Sequence, residues 1–219
     1  MRRGTATVAA DCARWALGFL LGRHLRPVRF RLGGSEYTAL HHRHLFTWLN
    51  ERAVEVPVFA GLVASEEPGS VLEVGNVLSH YGFAGHDVVD KYEHAPGVLN
   101  ADAADLELDR RYQLIVSVST LEHLGLDERP LEPDKPKRAL GRLRSLLAPG
   151  GRLVFSVPVG YNPHLDRYLR SEEAGLADCG ALRRDGRHWR ETDCSQAWDI
   201  PYDRLLYRAG AVVIGTVRG

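Results

Sequence analysis

Cysteine is scarce: the 219 residues include three, Cys12, Cys179 and Cys194, with no C-x-x-C pair and no zinc-like spacing. That argues against a disulfide framework and fits a reducing, cytoplasmic compartment, with a pairing of Cys179 and Cys194 left open. Net charge is absent as well, because 28 basic and 28 acidic side chains cancel. Nothing in that balance calls for a polyanionic partner, so nucleic acid and anionic membrane are set aside and a small substrate is expected. Beyond the N-terminal stretch there is no approach to the roughly 20 apolar residues that a transmembrane segment requires. Met1-Arg2-Arg3 and the apolar residues up to Leu21 have the outline of an export signal, but Asp11 and Arg14 interrupt it and no small-residue cleavage site follows. Ala9, Ala13, Ala16, Leu17, Leu20 and Leu21 recur at helical spacing, which predicts a helix that covers the domain or a partner.

What the sequence does have is alternation. Residues 1–66 read as an N-terminal helical arm: a helix, a short strand over 28–32, a Gly33-Gly34 break, and a second helix with Ser35 as N-cap that Pro57 disturbs. After Glu66-Glu67-Pro68-Gly69 the character changes, and 67–219 read as a separate unit built on short apolar runs at 71–74, 86–89, 114–118 and 153–157. Runs this apolar suit strands buried on both faces, and their alternation with loops and helical patterns predicts α/β architecture with a doubly wound, mostly parallel sheet and helical crossovers. The last crossover is the clearest. Lys135–Leu147 carries Ala139, Leu140, Leu143, Leu146 and Leu147 on one face and stops at Ala148-Pro149-Gly150-Gly151, where the chain is expected to reverse into a strand over 152–157. Beyond Pro158 the sequence is polar and irregular until a final strand over 211–217.

In such a sheet ligands bind beyond the carboxyl ends of the strands, where strand order reverses. The first strand ends Val71-Leu72-Glu73-Val74-Gly75-Asn76. A carboxylate at Glu73 can accept loop amide hydrogens, Gly75 permits a tight turn close to a ligand, and Asn76 can adopt a left-handed conformation. The second strand ends at Asp90, followed by Lys91, and an acid at that tip is suited to ribose hydroxyls. Asp102 and Ala103 follow the third element. The fourth runs into Ser119-Thr120-Leu121-Glu122-His123.

The order of these segments resembles class I S-adenosylmethionine-dependent methyltransferases over roughly residues 70–165, and more loosely a subset of bacterial methyltransferase-like proteins associated with sugars. Leu147-Ala148-Pro149-Gly150-Gly151-Arg152-Leu153 is similar to the family's Leu-Lys-Pro-Gly-Gly turn and is the most diagnostic match. The resemblance implies a Rossmann-like methyltransferase fold with S-adenosylmethionine as cofactor, held by Glu73, Gly75, Asn76, Asp90, Lys91, Asp102, Ala103 and Ser119. Three departures stand beside it. The family's E-x-G-x-G-x-G loop is reduced here to Gly75 until Gly82; Gly75 and Asp90 are fifteen positions apart, where about 20 is usual; and Gln113 replaces the acid before the fourth strand. The helix between the first two strands must therefore be short.

Methyl transfer needs two aligned partners and, for a hydroxyl acceptor, a base. His123 is the candidate catalytic base, since its ordinary pKa of about 6.5 suits neutral pH; bracing a helix start is the competing role. Tyr161 and Asn162, after the fifth strand, are candidate substrate contacts for a sugar or other small polar acceptor. No metal is expected: His41, His42 and His44 point in different directions on a helix. Two other classes stay in view. A nicotinamide oxidoreductase lacks its G-x-G-x-x-G here, and a non-catalytic, methyltransferase-like scaffold gains from the altered first loop. A homo-oligomer remains open.

Overall fold

The computed structural model describes residues 28–219, so the N-terminal helix expected before Leu21 lies outside the described residues. The described chain begins with a hairpin, β1 (Arg29–Leu32) and β2 (Ser35–Thr38), closed by the turn at Gly33 and Gly34. Ser35 therefore opens a strand, not the helix it was expected to cap. The helix starts later, as α1 (Arg52–Ala64), and Pro57 does not end it. Proline lacks the N–H that would bond Ala53 one turn earlier. That freed carbonyl instead accepts from Leu40 N at 2.7 Å.

The remaining strands form one eight-stranded sheet in the order β5-β4-β3-β6-β7-β10-β8-β9. They are β3 (Val71–Val74), β4 (Asp87–Val89), β5 (Val98–Leu99), β6 (Tyr112–Val118), β7 (Leu147–Pro158), β8 (Asp178–Asp185), β9 (His188–Thr192) and β10 (Ala211–Arg218). Strands β5 through β7 pair in parallel, while β10, β8 and β9 join through antiparallel ladders. The result is the expected doubly wound, mostly parallel, Rossmann-like sheet.

Its connections are leaner than expected. Among the parallel strands only β6 to β7 crosses by an α-helix, α2 (Lys135–Ser145); β3 to β4 has a single 3-10 turn, Leu78–Tyr81, and the links through β5 have no helix. Those links hold about a dozen residues or fewer, the bare minimum for a helical crossover. The expected reversal at Pro149 is also different. β7 runs unbroken from Leu147 but shifts register, from Tyr112↔Leu147 to Leu114↔Arg152, so Ala148–Gly151 form a bulge. Gly151 is required there because a Cβ would stand 2.8 Å from Tyr112 O.

The stretch beyond Pro158 is more ordered than its composition suggests. It holds α3 (Pro163–Leu169), the β8–β9 hairpin and a short α4 (Cys194–Ala197). β9 is an edge strand of largely exposed polar residues, the reason its sequence does not read as a strand. Cys179 and Cys194 form a disulfide that joins β8 to α4. This corrects the expectation of reduced thiols, and the argument from them to a cytoplasmic setting falls with it. Among the described residues no helix is long and apolar enough to cross a membrane.

Residues alternate between two cores. Leu72, Ile115, Leu153 and Phe155 face α2 and α3 on one side, whereas Val71, Leu114, Val116 and Val154 face the other side. There they meet Val54, Val56, Val58 and Phe59 of α1 and Phe30 and Leu32 of β1. Residues 29–66 thus cover one face of the sheet and share its core.

Candidate functional site

From β3 the chain builds outward through β4 to β5, then returns to the other side of β3 as β6, which makes β3/β6 the switch point. The loops that follow these two neighbouring parallel strands leave in opposite directions, and a crevice opens between them. It holds a cavity of about 510 Å³ lined by Gly75, Asn76, Asp90, Ala103, Ser119 and His123, among others. A volume in the range of roughly 300 to 1,000 Å³ suits a small molecule.

Glu73 does not line it. Its buried carboxylate turns back into the loop, where Oε1 accepts from Val77 N and Leu78 N, both at 2.9 Å, and Oε2 meets His86 Nε2 at 2.7 Å. The left-handed residue is Gly75, with φ +87°, and Asn76 is not left-handed. A Cβ on Gly75 would stand 2.2 Å from Thr120 Oγ1, so the turn brings β3 and β6 tips as close as they can come. Asn76 lies at the cavity wall, its Nδ2 donating to Glu93 Oε1 at 2.6 Å. Asp90 also reaches the wall. Oδ1 accepts from Tyr92 N and Glu93 N, each at 2.8 Å, and Oδ2 from Asn76 N at 3.1 Å. With about four acceptor positions on a carboxylate, one is left for a ligand.

Asp102 and Lys91 form part of a charged cluster at the cavity's flank. Lys91 Nζ lies 2.9 Å from Asp102 and 3.2 Å from Glu128, and the nearly buried Lys135 contacts the same two acids. Burial alone would raise Asp102, but hydrogen bonds from Lys135 and Lys91 outweigh it and hold its carboxyl down at about 2. Asp102 does not itself line the cavity; Ala101 and Ala103 on either side of it do, and they give an apolar wall.

Ser119 sits at the β6 tip with φ +37°, fixed by its hydroxyl on Glu55 and its amide on Ser156 O at 3.1 Å. Beneath it lies a residue the sequence reading missed. Arg52 of α1 donates to Val118 O at 2.6 Å and Ser119 O at 3.1 Å, pairs with Glu55 at 3.2 Å, and reaches the cavity. It is 67 positions from Ser119, and no local pattern links them. Thr120, Glu93 and Asp127 also line the cavity unforeseen; Asp127, four positions after His123, had a legible spacing.

His123 is half-exposed at the cavity wall. Its Nδ1 is 2.5 Å from Asp127 Oδ2, and its Nε2 is 3.6 Å from Glu122 Oε1. Burial pushes the Glu122 carboxyl well above the ordinary carboxylate range despite the nearby Arg52. Tyr161 packs edge-on against the His123 ring with centroids 4.8 Å apart, but neither Tyr161 nor Asn162 lines the cavity. Asn162 caps α3, accepting from His164 N and Leu165 N while its Nδ2 donates to Glu122 O at 2.9 Å. Its hydrogen-bonding capacity is used within the fold. Among the described residues no group of three or more His, Cys, Asp or Glu could hold a metal ion.

No family model matches the chain, and no curated protein matches it in sequence. Among solved structures the chain is similar to the N-methyltransferase NodS from Bradyrhizobium japonicum WM9 in complex with S-adenosyl-L-homocysteine, at 13% identity over 77% of this chain and 87% of that one, with a TM-score of 0.47. It is similar to the 1,6-didemethyltoxoflavin-N1-methyltransferase of Burkholderia thailandensis, at 16% identity over 81% and 83%, with a TM-score of 0.46. The sugar N-methyltransferase KedS8 from Streptoalloteichus sp ATCC 53650 is 14% identical over 83% and 95%, with a TM-score of 0.40. These are likenesses of backbone shape; what the cavity can hold depends on its own side chains.

Proposed function

We propose that this chain is an S-adenosylmethionine-dependent methyltransferase acting on a small polar acceptor, with a sugar hydroxyl as the preferred class. The observation that carries the reading is the crevice at the β3/β6 switch point, whose wall is closed by the Gly75 turn packed directly against Thr120. Its residues fit the cofactor's parts. Ala101, Ala103 and Val89 offer an apolar wall for adenine, Asp90 keeps one acceptor position for a ribose hydroxyl, and Asn76, His80, Ser119 and Thr120 line the part next to the Gly75 turn, suited to the methionine end. When bound, the cofactor supplies a methyl group already activated on a sulfonium.

The chain's own tasks are then alignment and proton removal. His123 stands at the cavity wall and is assigned here as the base, which is needed only by an acceptor that arrives with its proton. That favours hydroxyl over an already neutral amine. One observation favours the alternative of a non-catalytic binding or scaffold protein: Asp90 already carries three backbone amides, so its loop is satisfied without a ligand.

Isothermal titration separates the readings. Micromolar binding of S-adenosylmethionine and S-adenosylhomocysteine is expected, weakened about 10-fold or more in Asp90→Ala, roughly the 1.4 kcal/mol of one hydrogen bond to a charged group. No binding of either would leave the scaffold, and tight NAD binding in their place would make the chain an oxidoreductase.

A further inference from the structure

His123 belongs to a connected chain of donors that its neighbours in sequence do not explain. Asp127 Oδ2 receives Nδ1 of His123 at 2.5 Å and the Tyr161 hydroxyl at 2.7 Å. The Tyr161 and Tyr207 hydroxyl oxygens lie 2.5 Å apart. A hydroxyl has one proton to give. Tyr161 gives its own to Asp127, so Tyr207 must donate to Tyr161, and the order is Tyr207 to Tyr161 to Asp127, with His123 donating from the other side. Tyr161 is buried and stays a donor, because burial and then Asp127 and Tyr207 all push its hydroxyl above the ordinary tyrosine value.

A neutral imidazole bears its proton on one nitrogen, and an acceptor held against Nδ1 decides which one. Asp127 is anionic at neutral pH, since hydrogen bonds from His123 and Tyr161 outweigh the effect of its partial burial and hold its carboxyl below the ordinary range. Glu122 does not compete for the other nitrogen, as 3.6 Å to Nε2 is outside hydrogen-bond distance. We infer that Asp127, oriented by Tyr161 and Tyr207, is the positioning residue that fixes His123 as the Nδ1–H tautomer and leaves Nε2 as the lone-pair nitrogen. The use of that lone pair rests on the methyltransferase reading; the geometry does not.

The test reads the tautomer directly, by long-range proton–nitrogen NMR on the full chain above the histidine titration range, with the His123 signal assigned by its loss in His123→Gln. Wild type is expected to show a protonated Nδ1 and an unprotonated Nε2. Asp127→Ala, a half-exposed position that far-UV dichroism should find folded, is expected to lose that preference, and Tyr161→Phe to weaken it. In methyl-transfer assays Asp127→Ala is expected to lower kcat about 10- to 100-fold, within the contribution of a positioned base, with KM nearly unchanged. An Nε2–H tautomer in wild type, or an unchanged spectrum in Asp127→Ala, overturns the inference. If the tautomer responds as expected but wild type transfers no methyl group, Asp127's control over His123 stands and the methyltransferase reading fails.

Discussion

Gly75 shows how a single residue sets the shape of the crevice. Its φ of +87° is costly for any residue with a Cβ, and a Cβ there would meet the Thr120 side chain at 2.2 Å and 2.7 Å. Gly75→Ala is therefore expected to destabilise the fold by about 1–3 kcal/mol from backbone strain, with the clash added. Gly75→Ala/Thr120→Ala should recover the clash but not the strain. Urea unfolding of both variants measures the split, and equal stabilities would show that Thr120 moves aside freely. The glycine itself was legible, because a strand that ends in Val-Gly-Asn needs a turn. Thr120 as the reason was not, because it arrives from a strand 45 positions later.

At the level of elements, the first turn of α2 is tied to the loop after β5 by Lys135, which with Lys91 spans Asp102 and Glu128. Asp102 is held at about 2, below its ordinary 3.8, so its contribution to stability is present above about pH 4 and is lost as pH falls toward 2. Lys135→Met removes the nearly buried cation but leaves Lys91. A loss of roughly 2–3 kcal/mol at pH 7 is expected, less than the roughly 3–5 of a buried pair stripped of its partner. The acid-unfolding midpoint should also move to higher pH; urea unfolding at pH 7 checks the first and dichroism followed from pH 6 to 2 the second, in wild type and variant. An unmoved midpoint would mean that Lys91 alone holds Asp102. In the sequence α2 was plain from its apolar spacing, but Lys135 read only as its first residue.

The whole molecule depends on α1. Val54, Val56, Val58 and Phe59 are nearly fully buried, and they cover the β6 residues Leu114, Val116 and Val118. At about 1.5–3 kcal/mol each, those four side chains contribute roughly 6–12 kcal/mol, comparable to the entire stability of a typical domain. Removing α1 would also take away Arg52, whose charge offsets part of the burial of Glu122. Residues 67–219 alone are accordingly expected to show no cooperative thermal transition, whereas 28–219 should melt in one. A sharp transition in the shorter chain would show that residues 28–66 are an independent arm.

Sequence alone determined the local periods: the apolar strands at 71–74 and 114–118, the helix from Lys135, and the acids and glycine that follow each strand. Those patterns are unbroken apolar runs or repeats of 3.6 residues, within the span of one element, and the fold class follows from their order. Only the tertiary structure decided where each side chain looks. It turned Glu73 into its own loop, gave Asp102 to two lysines, used Asn162 as a helix cap, and brought Arg52 and Tyr207 to Ser119 and Tyr161 from distant segments. Such pairings follow from how the sheet and its covering layers pack, and no periodicity in the chain encodes them.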